Sequence, residues 1–260
     1  MTALHLSQEA EPFYQAEHDP KKFIELYLKK YQSLYYSRKV KEIEKLLSKY
    51  CKDLQGKNVL DVGCCGGYFS VLFAKQGAHV TGIDVSKSAI AAAVYYAKQQ
   101  SASCSFLCGD LSVVPAAKKF DFILAKDVIE HVQDDNAFVE QLSSKLAPGG
   151  QLVITTQNWL CFNYFFEGML RKLLYPRKKW VGWDPTHVRW YSCWSLKKKL
   201  AAAGLHVIGY SGSYYLPYEM MKVLKIESRW RLFVLLDDLL GGKWPLNKMG
   251  WSISVLGKKR

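Results

Sequence analysis

Three aspartates fall at the ends of three successive apolar runs. Asp61 lies in Asn58-Val59-Leu60-Asp61-Val62, Asp84 closes His79-Val80-Thr81-Gly82-Ile83-Asp84, and Asp110 follows the run 104–108 and Gly109. Directly after the first run comes Gly63-Cys64-Cys65-Gly66-Gly67. Glycines let a backbone turn sharply and come close to a ligand. The helix expected after the turn offers unpaired N–H groups. A carboxylate ending the next strand, near the ~20-residue offset, is placed to grip ribose hydroxyls. A G-x-G-x-x-G match starting at Gly63 would need glycine at 65 and 68, where the chain has Cys65 and Tyr68. A G-x-x-x-x-G-K-[ST] phosphate loop is absent too. The spacing therefore favours a nucleoside with an uncharged backbone over a dinucleotide or a triphosphate.

Two histidines could act as a base, since imidazole titrates near neutrality. Glu130-His131 follows the fourth apolar run, and His187 sits in Asp184-Pro185-Thr186-His187-Val188-Arg189-Trp190-Tyr191-Ser192. Each could instead brace a loop. His79 and His206 open strands at the opposite edge and read as structural, and His18 reads as part of an N-terminal tail.

These residues need elements to hold them. Helical patterns are expected over 20–37, with Phe23, Leu26, Tyr27, Lys30 and Leu34 near helical spacing, and over 38–51, with Val40, Ile43, Leu46, Leu47 and Tyr50 on one face. Strands are expected at 58–62, 79–84, 104–108, 120–125, 151–156, 205–212 and 251–256. Helices are expected after Gly67, at 87–99, 136–146 and 194–203, and a long amphipathic one at 219–240, with a break near Ser228. Strands alternating with helices imply βαβ units and a mostly parallel sheet. The expected fold is α/β and Rossmann-like: seven strands, helices on both faces, an N-terminal helical extension and an acceptor-side insertion after the fifth strand. One domain spans 1–260, divided into N-terminal helices (1–56), a cofactor core (57–157), an insertion (158–192) and a C-terminal completion of the sheet (193–260).

The segments VLDVGCCGGYFS, GIDVS, CGDL, FDFILAKDVIEHV and LAPGGQLVITTQN resemble the motif series of class I S-adenosylmethionine-dependent methyltransferases. The resemblance is strong over 57–157 and loose elsewhere. It implies S-adenosyl-L-methionine as cofactor and S-adenosyl-L-homocysteine as product. Asp61 and the turn Gly63, Cys64, Cys65 and Gly67 would frame the methionine part. Asp84 would hold both ribose hydroxyls, with Val85 beside the adenine. Asp110 would accept from the adenine amino group, with Leu111 packing nearby, and Lys126 would face the methionine end. The family usually has glycine where this chain has Cys65, whose Cβ penalises positive φ. The chain also resembles the ubiquinone-biosynthesis O-methyltransferases, which implies Arg38 as a candidate for the cofactor carboxylate. The DPTHVRWYS segment is similar to one in sugar and natural-product methyltransferases, so the acceptor stays open.

The chain has 260 residues and a formal net charge of +13, which favours anionic partners such as nucleic acid, phospholipid headgroups or an acidic substrate without choosing among them. Seven cysteines without zinc-ligand or disulfide-framework spacing read as reduced thiols and a cytoplasmic setting, and no metal is expected. No apolar run approaches the ~20 residues of a bilayer span, and the N-terminus does not look secretory. Residues 158–183 place Phe162, Phe165, Phe166, Met169, Leu170 and Leu173 on one helical face, with Arg171, Lys172, Arg177, Lys178 and Lys179 at its end. That pattern suits a lid, a lipid-like acceptor or peripheral contact with the inner face of a membrane. Nucleic acid is the weaker reading because no recognised binding module accompanies it. The function read from the sequence is O-methylation of a small or lipid-like acceptor such as a quinol precursor or a sugar. The rivals are an RNA or protein methyltransferase, and a non-catalytic membrane or nucleic-acid binder on a degenerate scaffold. The sequence leaves the oligomeric state open.

Overall fold

A computed structural model describes residues 19–32, 34–51, 53–161, 164–165, 168–169, 172–173, 187–215, 235, 239 and 245–260. The helix expected at 219–240, most of the insertion 158–183, Asp184 to Thr186, His18 and the side chains of Lys30 and Leu34 lie outside the described residues.

The described strands form one seven-stranded sheet of order β3-β2-β1-β4-β5-β7-β6. They are β1 (Asn58–Val62), β2 (His79–Asp84), β3 (Cys104–Cys108), β4 (Phe120–Lys126), β5 (Leu146–Gln157), β6 (Leu205–Ser213) and β7 (Ser252–Lys259). β1 pairs in parallel with β2 and β4, and β4 with β5. β7 runs antiparallel to both β5 and β6. The order reverses between β1 and β4, and ligands of such sheets sit at that switch point, beyond the carboxyl ends of the strands.

Helices α1 (Pro20–Gln32) and α2 (Leu34–Tyr50) precede the sheet. The boundary between them falls near Gln32, not Ser37, so α2 starts earlier than its apolar stripe suggests. Val40, Ile43, Leu46 and Leu47 of α2 are buried against Val59, Phe122, Leu124, Val153 and Leu256 on one face of the sheet. Each such side chain contributes about 1.5–3 kcal/mol when fully buried. On α1 the buried residues are Phe23 and Ile24, while Leu26 is 50% exposed, against expectation. The reason is its partner: α1 packs on the face of α4 (Lys87–Gln99) that carries Ala89, Ala92 and Tyr96, where the two alanines admit a close approach. Helix α3 is Tyr68–Lys75.

The opposite face carries α5 (Asp135–Lys145) and α6 (Cys193–Ala202), with Leu142, Leu196 and Leu200 packed on Phe120, Ile123 and Ile154. Short polar side chains start these helices. Ser86 accepts from Ala89 N, Asp134 from Ala137 N, and Ser192 and Ser195 form a reciprocal capping box. β5 begins at Leu146, earlier than the expected residue 151. Leu146 pairs with Phe120, and the Pro148-Gly149-Gly150 turn is absorbed as an irregularity before Gln151 pairs with Phe122. β7 is shifted toward the C-terminus relative to 251–256, because Lys258 and Lys259 pair with His206 and Leu205.

Candidate active site

The turn after β1 is built by its own backbone. Gly63 has φ 69, and its N–H and that of Cys64 both donate to Ile83 O, at 2.8 and 3.0 Å. A Cβ at Gly63 would come within 2.5 Å of Val128 Cγ2, and one at Gly66 within 2.7 Å of Tyr27 Cδ1. Helix α1 therefore sits directly on the turn. Cys65 has φ 47, the strained conformation that its side chain made a concern.

Cys65 N donates to Asp84 Oδ2 and Ser86 N to Asp84 Oδ1, both at 2.9 Å. The Asp84 carboxylate is thus fixed at the sheet edge from two sides. Burial raises its pKa, and these backbone bonds oppose the rise. Asp61 is buried and accepts from Ser70 Oγ at 2.6 Å. Burial pushes its carboxyl up to about 6, against the Ser70 bond and the charge of Lys126. Asp110 Oδ1 accepts from Ser112 N and Ser112 Oγ, at 2.9 and 2.6 Å, which hold its pKa below the usual value. Val85 follows Asp84 half-buried, and Leu111 is buried in the core. Burial raises the Cys64 thiol well above its ordinary range.

At the end of β4 a second polar cluster forms. Lys39 Nζ of α2 and Lys126 Nζ both pair with Asp127 Oδ2, at 2.7 and 2.8 Å. Thr155 Oγ1 donates to Asp127 Oδ1 at 3.2 Å. Burial works to raise this carboxyl, and the two lysines overcome it and hold it far below the carboxylate range. One turn along α2, Glu42 is 5% exposed and accepts from Ser213 Oγ at 2.6 Å. Burial pushes Glu42 up to about 7. Glu130 is 1% exposed, and burial together with the Asp127 charge pushes it up to about 8. Arg38 is buried on α2 beside Lys39.

His131 and His187, read from sequence as alternatives, come together. Their ring centroids are 4.9 Å apart, in an edge-on arrangement. Potential donor atoms of Glu130, His131 and His187 all lie within 4.8 Å of one another. His187 also meets Trp190 edge-on at 5.5 Å, and Trp190 meets Tyr164 at 5.5 Å. His131 is carried on a single turn, Ile129–His131, directly after β4. His79 and His206 are exposed at strand starts, far from this pair in the sheet.

Sequence reasoning missed Lys39, Glu42 and Asp127. A signal was present: Lys39 and Glu42 flank Val40 and Ile43, so charged groups at helical spacing border the buried stripe of α2.

The sheet order, with carboxylates at or after the ends of β1, β2 and β3, defines an α/β domain whose switch point lies between β1 and β4. A family model described as a methyltransferase domain matches residues 29–209, and the chain belongs to the class I S-adenosylmethionine-dependent methyltransferases. S-adenosylmethionine is the cofactor of that family. Over 106 residues the chain is 41% identical to a ubiquinone biosynthesis O-methyltransferase of Coxiella burnetii (strain Dugway 5J108-111), covering 40% of this chain and 45% of that one. It thus spans less than half the length of that relative. A protein of the same name from Rickettsia canadensis (strain McKiel) is 29% identical over 205 residues, 79% of this chain and 76% of that one. Among solved structures, magnesium protoporphyrin IX methyltransferase from Synechocystis PCC 6803 with bound SAH superposes with a TM-score of 0.61 at 17% identity, over 86% of this chain and 83% of that one. The [4+2]-cyclase SpnF superposes at 0.56 with 21% identity, over 83% and 78%. Identities this low speak for the fold alone, and a cyclase among the neighbours shows that the fold does not dictate one reaction.

Proposed function

We propose that this chain transfers the methyl group of S-adenosylmethionine to an oxygen of a small aromatic or lipid-like acceptor. The observation that carries the reading is the His131–His187 pair, set on the β4 rim next to β1, the strand that carries Asp61. The cofactor side fits an adenosine: Asp84 presents a carboxylate pinned by two backbone N–H groups, which suits two neighbouring ribose hydroxyls. In this reading Val85 lies beside the adenine, Asp110 accepts from its amino group and Leu111 backs it. Asp61, Lys126 and Arg38 serve the methionine end, and Lys39 joins them through Asp127.

When bound, the sulfonium supplies a methyl that is already activated. The protein's task is then to hold the acceptor oxygen in line, exclude water and take one proton. His131 takes the proton as the acceptor oxygen forms its bond to carbon. His187 and Trp190 orient the acceptor ring. The succession of His187, Trp190 and Tyr164 supports an aromatic acceptor over a sugar, since aromatic edges and faces pair favourably. The names of the curated relatives support a quinol-type acceptor.

Among the described residues no helix is long and apolar enough to cross a membrane. Trp159, Phe165, Met169 and Leu173, in the stretch of chain after β5, are exposed, which supports peripheral membrane contact for a lipid-tailed acceptor. The test is transfer of labelled methyl to phenolic quinol precursors, sugars and bulk tRNA in parallel. Labelling of the phenols is expected. Labelling of tRNA alone would overturn the acceptor class.

A further inference from the structure

The histidine pair depends on two segments far apart in the chain, and contacts behind the pair clamp them together. Val188 N donates to Glu130 O at 2.9 Å, and Arg189 Nη1 to Val132 O at 3.0 Å. Asn158 bridges to Tyr191, and Trp159 N donates to Tyr191 O at 3.0 Å. The 187–191 strip thus lies along the turn that carries His131. Beneath both lies Asp135, in the first turn of α5 and 4% exposed. Tyr191 OH donates to its Oδ2 at 2.7 Å and also approaches Ile129 O at 3.3 Å. Arg189 Nη1 stands 3.6 Å from its Oδ1, and Lys199 Nζ 2.9 Å from its Oδ2.

We infer that Asp135 is a positioning residue, which sets the distance between His131 and His187 by anchoring Tyr191 and Arg189 of the 187–191 strip to the turn after β4. The inference rests on the reading of that pair as the acceptor-side base. The carboxylate acts through Tyr191, Arg189 and Lys199 rather than on either ring directly. Its two oxygens divide the work: Oδ1 faces Arg189, and Oδ2 takes the Tyr191 hydroxyl from the strip and the Lys199 ammonium from α6. Burial works to raise Asp135, and the Tyr191 and Lys199 bonds outweigh it and hold its pKa below the usual carboxylate value. A buried charge with several partners loses more from removal of one than an exposed pair does. A carboxylate in a first helical turn also steadies the helix, so the test must separate register from stability.

The full chain, labelled with 15N-histidine and saturated with S-adenosylhomocysteine, gives imidazole signals for His131 and His187 that His→Asn variants assign. Asp135→Asn and Tyr191→Phe are expected to displace both signals and leave those of His79 and His206 in place. Lys199→Met removes a partner that shares Oδ2 with Tyr191 but comes from α6 rather than from the strip. It is expected to lower the melting temperature while leaving the His131 and His187 signals where they were. Cofactor affinity should stay within about twofold in all three, because the partners of Asp135 are Tyr191 and Arg189 of the strip and Lys199 of α6. If Asp135→Asn does not fold, Tyr191→Phe, which loses one hydroxyl, decides. Unmoved histidine signals in Tyr191→Phe, or equal displacement in Lys199→Met, would overturn the inference. The spectra need no acceptor, so the positioning role and the base role of His131 fail separately.

Discussion

Around Asp84 the contacts that shape the site come from backbone within a short stretch of chain. Cys65 N, Ser86 N and Ile83 O do the holding, and no long side chain is needed. Around His131 the shaping contacts come from a distant strip, through Val188, Arg189 and Tyr191, and from buried charges on α2. On the proposed reading the nucleoside side is built from local contacts, and the acceptor side is assembled from afar. One side can keep a common ligand while the other is free to change its acceptor, a division suited to a fold that serves many chemistries.

The largest expected effect lies on the acceptor side. His131→Ala should lower kcat by ~10²–10⁴ with little change in cofactor affinity. His187→Ala should raise KM for the acceptor more than it lowers kcat. Steady-state kinetics on any labelled acceptor reads both. Near-full kcat in the two variants would mean that positioning alone carries the reaction.

Next comes the nucleoside side. Asp84→Ala removes a charge-assisted contact worth roughly 1.5–3 kcal/mol, or about 10- to 100-fold in affinity for S-adenosylhomocysteine. Isothermal titration measures it, and unchanged affinity would remove the ribose assignment.

A smaller effect tests the buried charges of α2. Glu42 is raised from its ordinary 4.5 to about 7, chiefly by burial, with Ser213, Ser254 and Lys39 pulling it down and Asp127 pushing it up. Between those two values the unfolded chain has lost the proton that the folded chain keeps, so this group's contribution to stability declines as pH rises and levels off above about 7. The penalty at high pH is on the order of 3 kcal/mol at most. Glu42→Gln should therefore gain in melting temperature relative to wild type as the buffer moves from about pH 5 to about pH 8. A constant difference across that range would show that Glu42 does not titrate there.

The smallest effect concerns the turn. Cys65 holds a left-handed φ that costs roughly 1–2 kcal/mol for a residue with a Cβ. Cys65→Gly should leave cofactor affinity equal or slightly tighter by titration. A large loss would mean that the thiol makes a contact with the cofactor.

The contrast between the two sides also explains what the sequence disclosed. Gly63, Asp84 and Asp110 were legible because turn, strand end and carboxylate lie close together in the chain, so spacing reports geometry. Glycine at 63 and 66 answers to Val128 and Tyr27 pressing on the turn, which spacing alone does not reveal. His131 and His187 were each legible as candidate bases, but not as neighbours, because the Tyr191 and Arg189 contacts to the turn after β4 join segments far apart in the chain. The helical spacing of Lys39 and Glu42 marks them as bordering the buried stripe of α2, but nothing in the sequence names Asp127, at the end of β4, as the partner of Lys39. Leu26 was misplaced because the stripe on α1 fits the alanine face of α4 rather than the sheet.

One measurement tests the separation of the two sides most directly: parallel calorimetric titration of S-adenosylhomocysteine into wild type, Asp84→Ala and His131→Ala. The account predicts that Asp84→Ala loses about 10-fold or more in affinity while His131→Ala stays within about twofold of wild type. Equal losses in both variants, or none in Asp84→Ala, would contradict it.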